Sequence, residues 1–252
     1  MIIQYHRPQT LEEALILLAQ PETRPLGGGT ALTQKSAESF SVVDLQALGL
    51  DMLHESNNVL EIGAAVKLQE LVVSPFTSNA LKNATKLETP LNLRNIGTVA
   101  GTLLTCDGRS PFGTVMLALD AKCWLASIHE TITISLGDLL PLRNEFLRGK
   151  LIIKIEIPLK IKFGFETVAR TPADKPIVCA ALAQWPSGRT RLTIGGWGQA
   201  PKLAMDGNEP GGLQEAARNA ASDASDEWAS AEYRLAAAGI LVKRCQDALL
   251  SS

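Results

Sequence analysis

The spacing of apolar and polar positions divides the chain into short elements. Near the start, Thr10-Leu11-Glu12-Glu13 forms a capping box, and Leu11, Ala14, Leu15 and Leu18 recur at helical spacing until Pro21. This predicts a short amphipathic helix. Residues 40–45 read as a buried strand, because Val42, Val43 and Leu45 cannot all face water. The glycines Gly27 to Gly29 then lie between that helix and that strand. Asn57-Asn58 marks a turn, residues 59–66 a strand and residues 67–73 a helical turn or two. A subdomain boundary is expected near residue 55. A helix is predicted over residues 78–87, with Leu81, Ala84 and Leu87 on one side, and residues 116–121 close another. Residues 123–134 hold two strand-like runs. Ile153, Ile155 and Ile157 alternate with Lys154 and Glu156, the period of a half-buried strand, and Pro158 ends it.

Beyond Phe163 the pattern changes. Residues 177–185 and 191–197 read as two strands joined by Pro186-Ser187-Gly188, an antiparallel hairpin. The chain closes on a long helix whose stripe, Trp228, Ala231, Leu235, Ala238, Val242, Cys245 and Leu249, is expected to pack on the hairpin sheet. Residues 207–212, with Pro210, read as a surface loop.

Composition narrows the class. The chain has 252 residues, 46% of them apolar and 20% charged, and 24 Lys and Arg against 26 Asp and Glu give a formal charge of −2. Such a length buries a sizeable core without disulfide or metal staples. A pI near 6.0 and the lack of Lys/Arg runs argue against nucleic acid or an anionic membrane as partner. The opening MIIQYHRPQT has neither the basic nor the apolar region of a signal peptide, and no apolar stretch nears the ~18 residues of a membrane span, so a cytoplasmic protein is expected. Cys106, Cys123, Cys179 and Cys245 lie far apart, without a C-x-x-C pair, and read as reduced core thiols. Any iron–sulfur cluster or zinc would come from another chain.

Several chemistries drop out on motif grounds. Gly108-Arg109-Ser110-Pro111-Phe112 starts like a nucleophile elbow, but Phe112 stands where the second glycine must be. Gly27-Gly28-Gly29-Thr30-Ala31-Leu32 offers G-x-G yet has Leu32 at the sixth position and no strand predicted directly before it, so the Rossmann fingerprint fails, and no Walker lysine follows. His6, His54 and His129 have no orienting partner in their sequence context. Two glycine-bearing loops remain, about 70 residues apart: residues 27–30 and residues 93–102. Successive N–H groups in such loops can cradle a phosphate, with threonine hydroxyls as further donors. Two of them on small α/β units point to a ligand with two phosphates, for which a dinucleotide is the economical candidate.

These residues resemble the FAD-binding medium subunit of the molybdenum hydroxylases, the family of carbon monoxide dehydrogenase and xanthine dehydrogenase. The family's A-G-G-T-D-L is similar to Gly27 through Leu32. Its I-R-N-x-G-T-I-G-G-N-L and the turn after it resemble Leu93 through Leu103 and Asp107-Gly108-Arg109-Ser110. Ile62-Gly63-Ala64, Leu117-Ala118-Leu119-Asp120-Ala121, Arg170 with Asp174, and Glu232-Tyr233-Arg234 also match. The resemblance implies an α+β protein. Residues 1–160 would be a p-cresol-methylhydroxylase-type FAD-binding domain with subdomains of about 1–55 and 56–160. Residues 163–252 would be a CO-dehydrogenase flavoprotein C-terminal domain.

It further implies FAD, held between Leu26, Gly27, Gly28, Gly29, Thr30 and Ala31 of the first loop and Thr98, Val99, Ala100, Gly101 and Thr102 of the second. The N–H groups of Gly28, Gly29, Thr30, Thr98 and Gly101 would bind the pyrophosphate, assisted by the Thr30 and Thr98 hydroxyls. Asp107 would accept from a ribityl or ribose hydroxyl, or form the turn. The implied role is an electron-transfer subunit working with a molybdopterin-binding large subunit and a [2Fe–2S] small subunit, with NAD, oxygen or a quinone as acceptor. Ala31, Ala100, Thr102, Phe165 and Thr167 depart from the family pattern. A Cβ at Ala100 would crowd the ligand if φ were positive there. Thr167 cannot stabilise an anionic reduced flavin as the family's lysine would. These departures leave a second reading open, a scaffold subunit without FAD. A stand-alone flavin oxidase is disfavoured, because no acid–base pair supports it.

Overall fold

The computed structural model describes residues 1–32, 37–208 and 211–250. The chain begins β1 (Ile2–His6), α1 (Leu11–Leu18), β2 (Thr23–Leu26), β3 (Phe40–Asp44), β4 (Leu53–Ser56) and β5 (Val59–Gly63). Five short helices follow: α2 (Leu68–Val73), α3 (Asn79–Glu88), α4 (Leu91–Arg94), α5 (Val99–Thr105) and α6 (Pro111–Ala118). Next come β6 (Lys122–Ala126), β7 (Thr131–Ser135), α7 (Leu136–Phe146), β8 (Leu151–Pro158) and β9 (Lys162–Val168). The remainder is β10 (Val178–Gln184), β11 (Thr190–Gly195), β12 (Lys202–Gly207), α8 (Leu213–Ala220) and α9 (Ala231–Leu250).

The chain divides into two compact units, neither of them continuous in sequence. The first unit comprises Met1–Leu71, Leu91–Thr105 and Lys122–Glu156. It holds a three-stranded parallel sheet, β1-β3-β2, and a five-stranded sheet, β4-β5-β8-β6-β7. Helix α1 lies on the small sheet, where Ala14, Leu15 and Leu18 bury against Val43 and Leu45. The Thr10 hydroxyl caps it by accepting from Glu13 N–H, as the capping box predicts.

The second unit comprises Val72–Pro90, Cys106–Ala121 and Ile157–Ser252. Its antiparallel sheet, β12-β11-β10-β9, has helices on both faces. Val178, Ala180, Leu182, Leu192 and Ile194 face α8 and α9. On the opposite face Thr193 donates to the Thr114 carbonyl of α6, and the Thr114 hydroxyl contacts Cys179 Sγ at 3.3 Å. Every residue of α6 is buried. Its N-terminus is closed by Ser110, whose hydroxyl accepts from Gly113 N–H, and by Glu88, whose carboxylate accepts from Ser110 Oγ at 2.6 Å and Phe112 N at 3.0 Å. Burial pushes the Glu88 carboxyl up despite these bonds.

The α+β class, the capped N-terminal helix, the hairpin and the long last helix agree with the sequence reading, and all four cysteines are free and buried. Burial pushes the thiols of Cys123 and Cys179 up to about 12, so they are inert packing groups. Other elements differ from expectation. A strand, β2, does directly precede the first glycines; its four residues include Pro25, tolerated because β2 is a sheet edge paired with β3 alone. The second glycine loop turns helical at Val99. Strands β1 and β12 and helix α7 lack the periodicity that would announce them, and α7 even contains Pro141; α8 carries a clear helical spacing, Leu213, Ala216, Ala217 and Ala220, that the sequence reading passes over. The last helix starts at Ala231, leaving Trp228 outside it, and Trp228 and Leu235 of the predicted stripe are exposed. In their stead Arg234 is fully buried. Gly207 ends β12 and Gly212 precedes α8 in the left-handed region; Pro210 of the expected loop lies outside the described residues.

Candidate functional site

The first unit brings the two glycine loops together. Strand β2 delivers the chain into Gly27-Gly28-Gly29, where Gly29 takes a φ of 73°, a conformation that favours glycine. Gly28 has a different reason to be glycine. A Cβ placed on it would stand 1.9 Å from the carbonyl oxygen of Ile96 and 2.6 Å from its carbon, so the two loop backbones touch where residue 28 has no side chain. At Gly27 a Cβ would meet Thr98 Oγ1 at 2.9 Å.

The second loop is pinned by its own backbone. Leu68 N donates to Gly97 O and Val99 N to Val66 O, flanking an antiparallel bridge between Lys67 and Thr98, and Ala100 N donates to Ala64 O. Thr98 is buried, and its hydroxyl caps α5 by accepting from Gly101 N at 3.2 Å. That bond engages the amide of Gly101, a predicted ligand donor. It also leaves the Thr98 hydroxyl hydrogen to donate outward. Among the described residues, the N–H groups of Gly28 and Thr98 have no partner within the protein. Ala100, the departure expected to crowd a ligand at positive φ, sits in the first turn of α5, outside the left-handed region. Its Cβ costs nothing in that conformation.

The same unit holds a cavity of about 740 Å³ whose lining, among the described residues, includes no residue of either glycine loop. It runs from Leu18 through Pro25, two residues before Gly27, and reaches Leu104 on α5. Arg24, Arg143, Arg148 and Lys150 line it, against one carboxylate, Glu22. Of these cations, Arg24 is paired with Glu38.

Of the residues predicted for the site, Leu26 to Ala31 and Thr98 to Thr102 lie in the first unit, and Asp107 lies in the second. The Asp107 carboxylate is engaged locally. Oδ1 accepts from Arg109 N at 2.9 Å, closing the Asp107-Gly108-Arg109 turn, and Oδ2 pairs with Lys175 at 3.0 Å. Arg109 in turn donates to the carbonyls of Lys175 and Pro176 and stacks on Trp228 at 4.2 Å. The Glu232-Tyr233-Arg234 signature has a structural role that sequence alone did not reveal. Arg234 donates to the carbonyls of Ile177, Ala224, Ala229 and Gly196 and pairs with Asp226 at 2.8 Å. A fully buried guanidinium so enclosed joins β10, the turn after β11 and the segment before α9.

No group of His, Cys, Asp and Glu that could hold a metal ion exists among the described residues, and no helix there is long and apolar enough to cross a membrane. Comparison with known proteins identifies the nucleotide. The glyceraldehyde dehydrogenase medium chain of Sulfolobus acidocaldarius is 26% identical over 219 residues, 80% of this chain and 78% of the relative. The carbon monoxide dehydrogenase medium chain of Hydrogenophaga pseudoflava is 25% identical over 278 residues, 97% and 96% of the two chains. Reconstituted CO dehydrogenase from Oligotropha carboxidovorans superposes with a TM-score of 0.83 at 24% identity, covering 98% of this chain and 96% of that one, a likeness of fold. Residues 1–160, which carry both glycine loops and the cationic cavity, match the family described as the FAD binding domain in molybdopterin dehydrogenase, and it is to this family of FAD-binding oxidoreductase components that the chain belongs.

Proposed function

We propose that the protein is the flavin-bearing medium subunit of a three-part molybdenum hydroxylase, taking electrons from a [2Fe–2S] small subunit and passing them in pairs to NAD or another acceptor, while a molybdopterin-binding large subunit oxidises the substrate. The division of labour is supported by relatives that are themselves named medium chains. Bound FAD would supply the chemistry, accepting single electrons and releasing a pair. The residues of this chain bind and orient it. Gly28, Gly29, Thr30 and Thr98 present backbone N–H groups to the pyrophosphate, and the Thr30 and Thr98 hydroxyls add donors.

The observation that carries this reading is the backbone contact between Gly28 and Ile96, which joins two loops far apart in sequence into one cradle. The test is the absorbance between 350 and 500 nm of the purified protein. A flavin spectrum near one equivalent per chain, restored by added FAD after removal, is expected. Failure of the flavin-free protein to take up FAD overturns the reading. Co-purification of a molybdopterin subunit and an iron–sulfur subunit from the native host is the corresponding expectation for the partners.

A further inference from the structure

The second unit carries a groove of about 630 Å³ that the flavin role does not use. It is walled by the turn between β8 and β9, with Leu159, Lys160, Ile161 and Lys162, and by the end of the β10–β11 hairpin, with Gln184, Trp185, Pro186 and Gly188. Three features make it a built site. Trp185 stands in it half-buried, backed by the Arg189 guanidinium 4.9 Å from the ring centroid. Arg189 cannot drift, because Asp206 holds it through two bonds of 2.8 Å and Asp120 through one of 3.0 Å. The indole is thus a platform fixed before any ligand arrives. The second feature is charge. Lys162 is anchored by donating to the Leu249 carbonyl at 3.1 Å, and Lys160 has no partner among the described residues. The third is that no carboxylate among the described residues lines the groove, whose remaining walls are aliphatic apart from the neutral Gln184 and Gly188.

We propose that this groove is a second binding site, taking a small planar aromatic carboxylate with its ring on Trp185 and its carboxylate between Lys160 and Lys162. A flat apolar wall selects the ring, and two ammonium groups without a competing carboxylate select the anion. The site is independent of FAD and of the residues that cradle it.

The test follows the indole N–H signals of the purified full chain by nuclear magnetic resonance, with that of Trp185 assigned by its disappearance in Trp185→Phe. Benzoate is the probe, with inorganic phosphate and benzyl alcohol as the anion-only and ring-only controls. Benzoate is expected to shift the Trp185 signal saturably, and Lys160→Gln to weaken its affinity about tenfold, the loss typical of one charged hydrogen bond, while the other indole signals stay in place and report an intact fold. A Trp185 signal indifferent to benzoate overturns the proposal. So does equal affinity in Lys160→Gln, and so does phosphate competing as well as benzoate, which would reduce the groove to a cationic patch.

Discussion

A methyl group at residue 28 would lie 1.9 Å from the Ile96 carbonyl oxygen, far inside contact distance, and relief would require the two loop backbones to part. Gly28→Ala is therefore expected to lower FAD occupancy at least about tenfold and to lower the melting temperature of the flavin-free protein. Gly101→Ala is the milder neighbour. Its methyl meets only the Thr98 hydroxyl at 2.8 Å, and alanine raises helix propensity by about 1 kcal/mol, so the fold holds while the cap and the hydroxyl donor shift. Flavin stoichiometry after gel filtration, read beside the melting curve, checks both variants. Full occupancy and unchanged melting in Gly28→Ala would show that the loop contact is dispensable. The glycine's role here is loop-to-loop packing.

Among the elements, the segment joining α8 to α9 is held chiefly by Arg234, with Arg170 donating to the Trp228 carbonyl and Arg109 stacked on the Trp228 ring. Arg234→Leu would leave the carbonyls of Ile177, Ala224 and Gly196 without their buried donor, at a cost of about 1–3 kcal/mol for each that finds no other partner. Lysine cannot reproduce a fork that serves so many acceptors. A urea titration of both variants is expected to show unfolding at much lower denaturant, with leucine no better than lysine. Burial opposes ionisation of Asp226, but the bonds from Arg234 and from the N–H groups of Trp228 and Ala229 outweigh it and hold the carboxyl below the usual range. The sequence announced Glu232-Tyr233-Arg234 as a signature, and helical spacing placed Arg234 off the apolar stripe; nothing in that pattern shows that a guanidinium is the buried group. The glycine loops were legible because their physical demand, bare backbone, is written in residue type. Strand β2 was not, since four residues with a proline carry no period, and neither was α5, whose seven residues include Gly101 and whose Thr98 cap lies within a run read as a glycine loop. The hairpin and α9 were legible because a two- or 3.6-residue period runs through enough residues to stand out.

At the scale of the molecule, charge pairing sets the response to acid. Arg189 and Arg191 share Asp120 and Asp206, tying the end of the segment after α6 to β11 and β12. The bonds from Arg189, acting against burial, hold the Asp206 carboxyl below its usual range. A carboxyl lowered in the folded state contributes stability that is complete above its unfolded value of about 3.9 and is lost as the pH falls below it. Thermal melts are expected to fall steeply below about pH 4, and Asp206→Asn to start lower and fall less; an identical slope in the variant would remove this cluster from the acid response. The two units are each assembled from separated stretches of chain, so the second unit needs residues 72–90 and 106–121 as much as its C-terminal sheet.

Helix α6 has no wet face. All eight of its residues are covered: α3 packs on it from earlier in the chain, and β10 and β11, which cover much of the rest, come about 60 to 80 residues later. During translation that apolar segment therefore emerges with α3 beside it but well ahead of the strands that complete its cover, and non-local pairing of this kind is slow to form. A ribosome paused after residue 160 would display Phe112, Val115, Met116 and Leu117 without the sheet that covers them. Chaperone engagement on the nascent polypeptide is expected to begin with this stretch and to end once the β11 strand has cleared the exit tunnel.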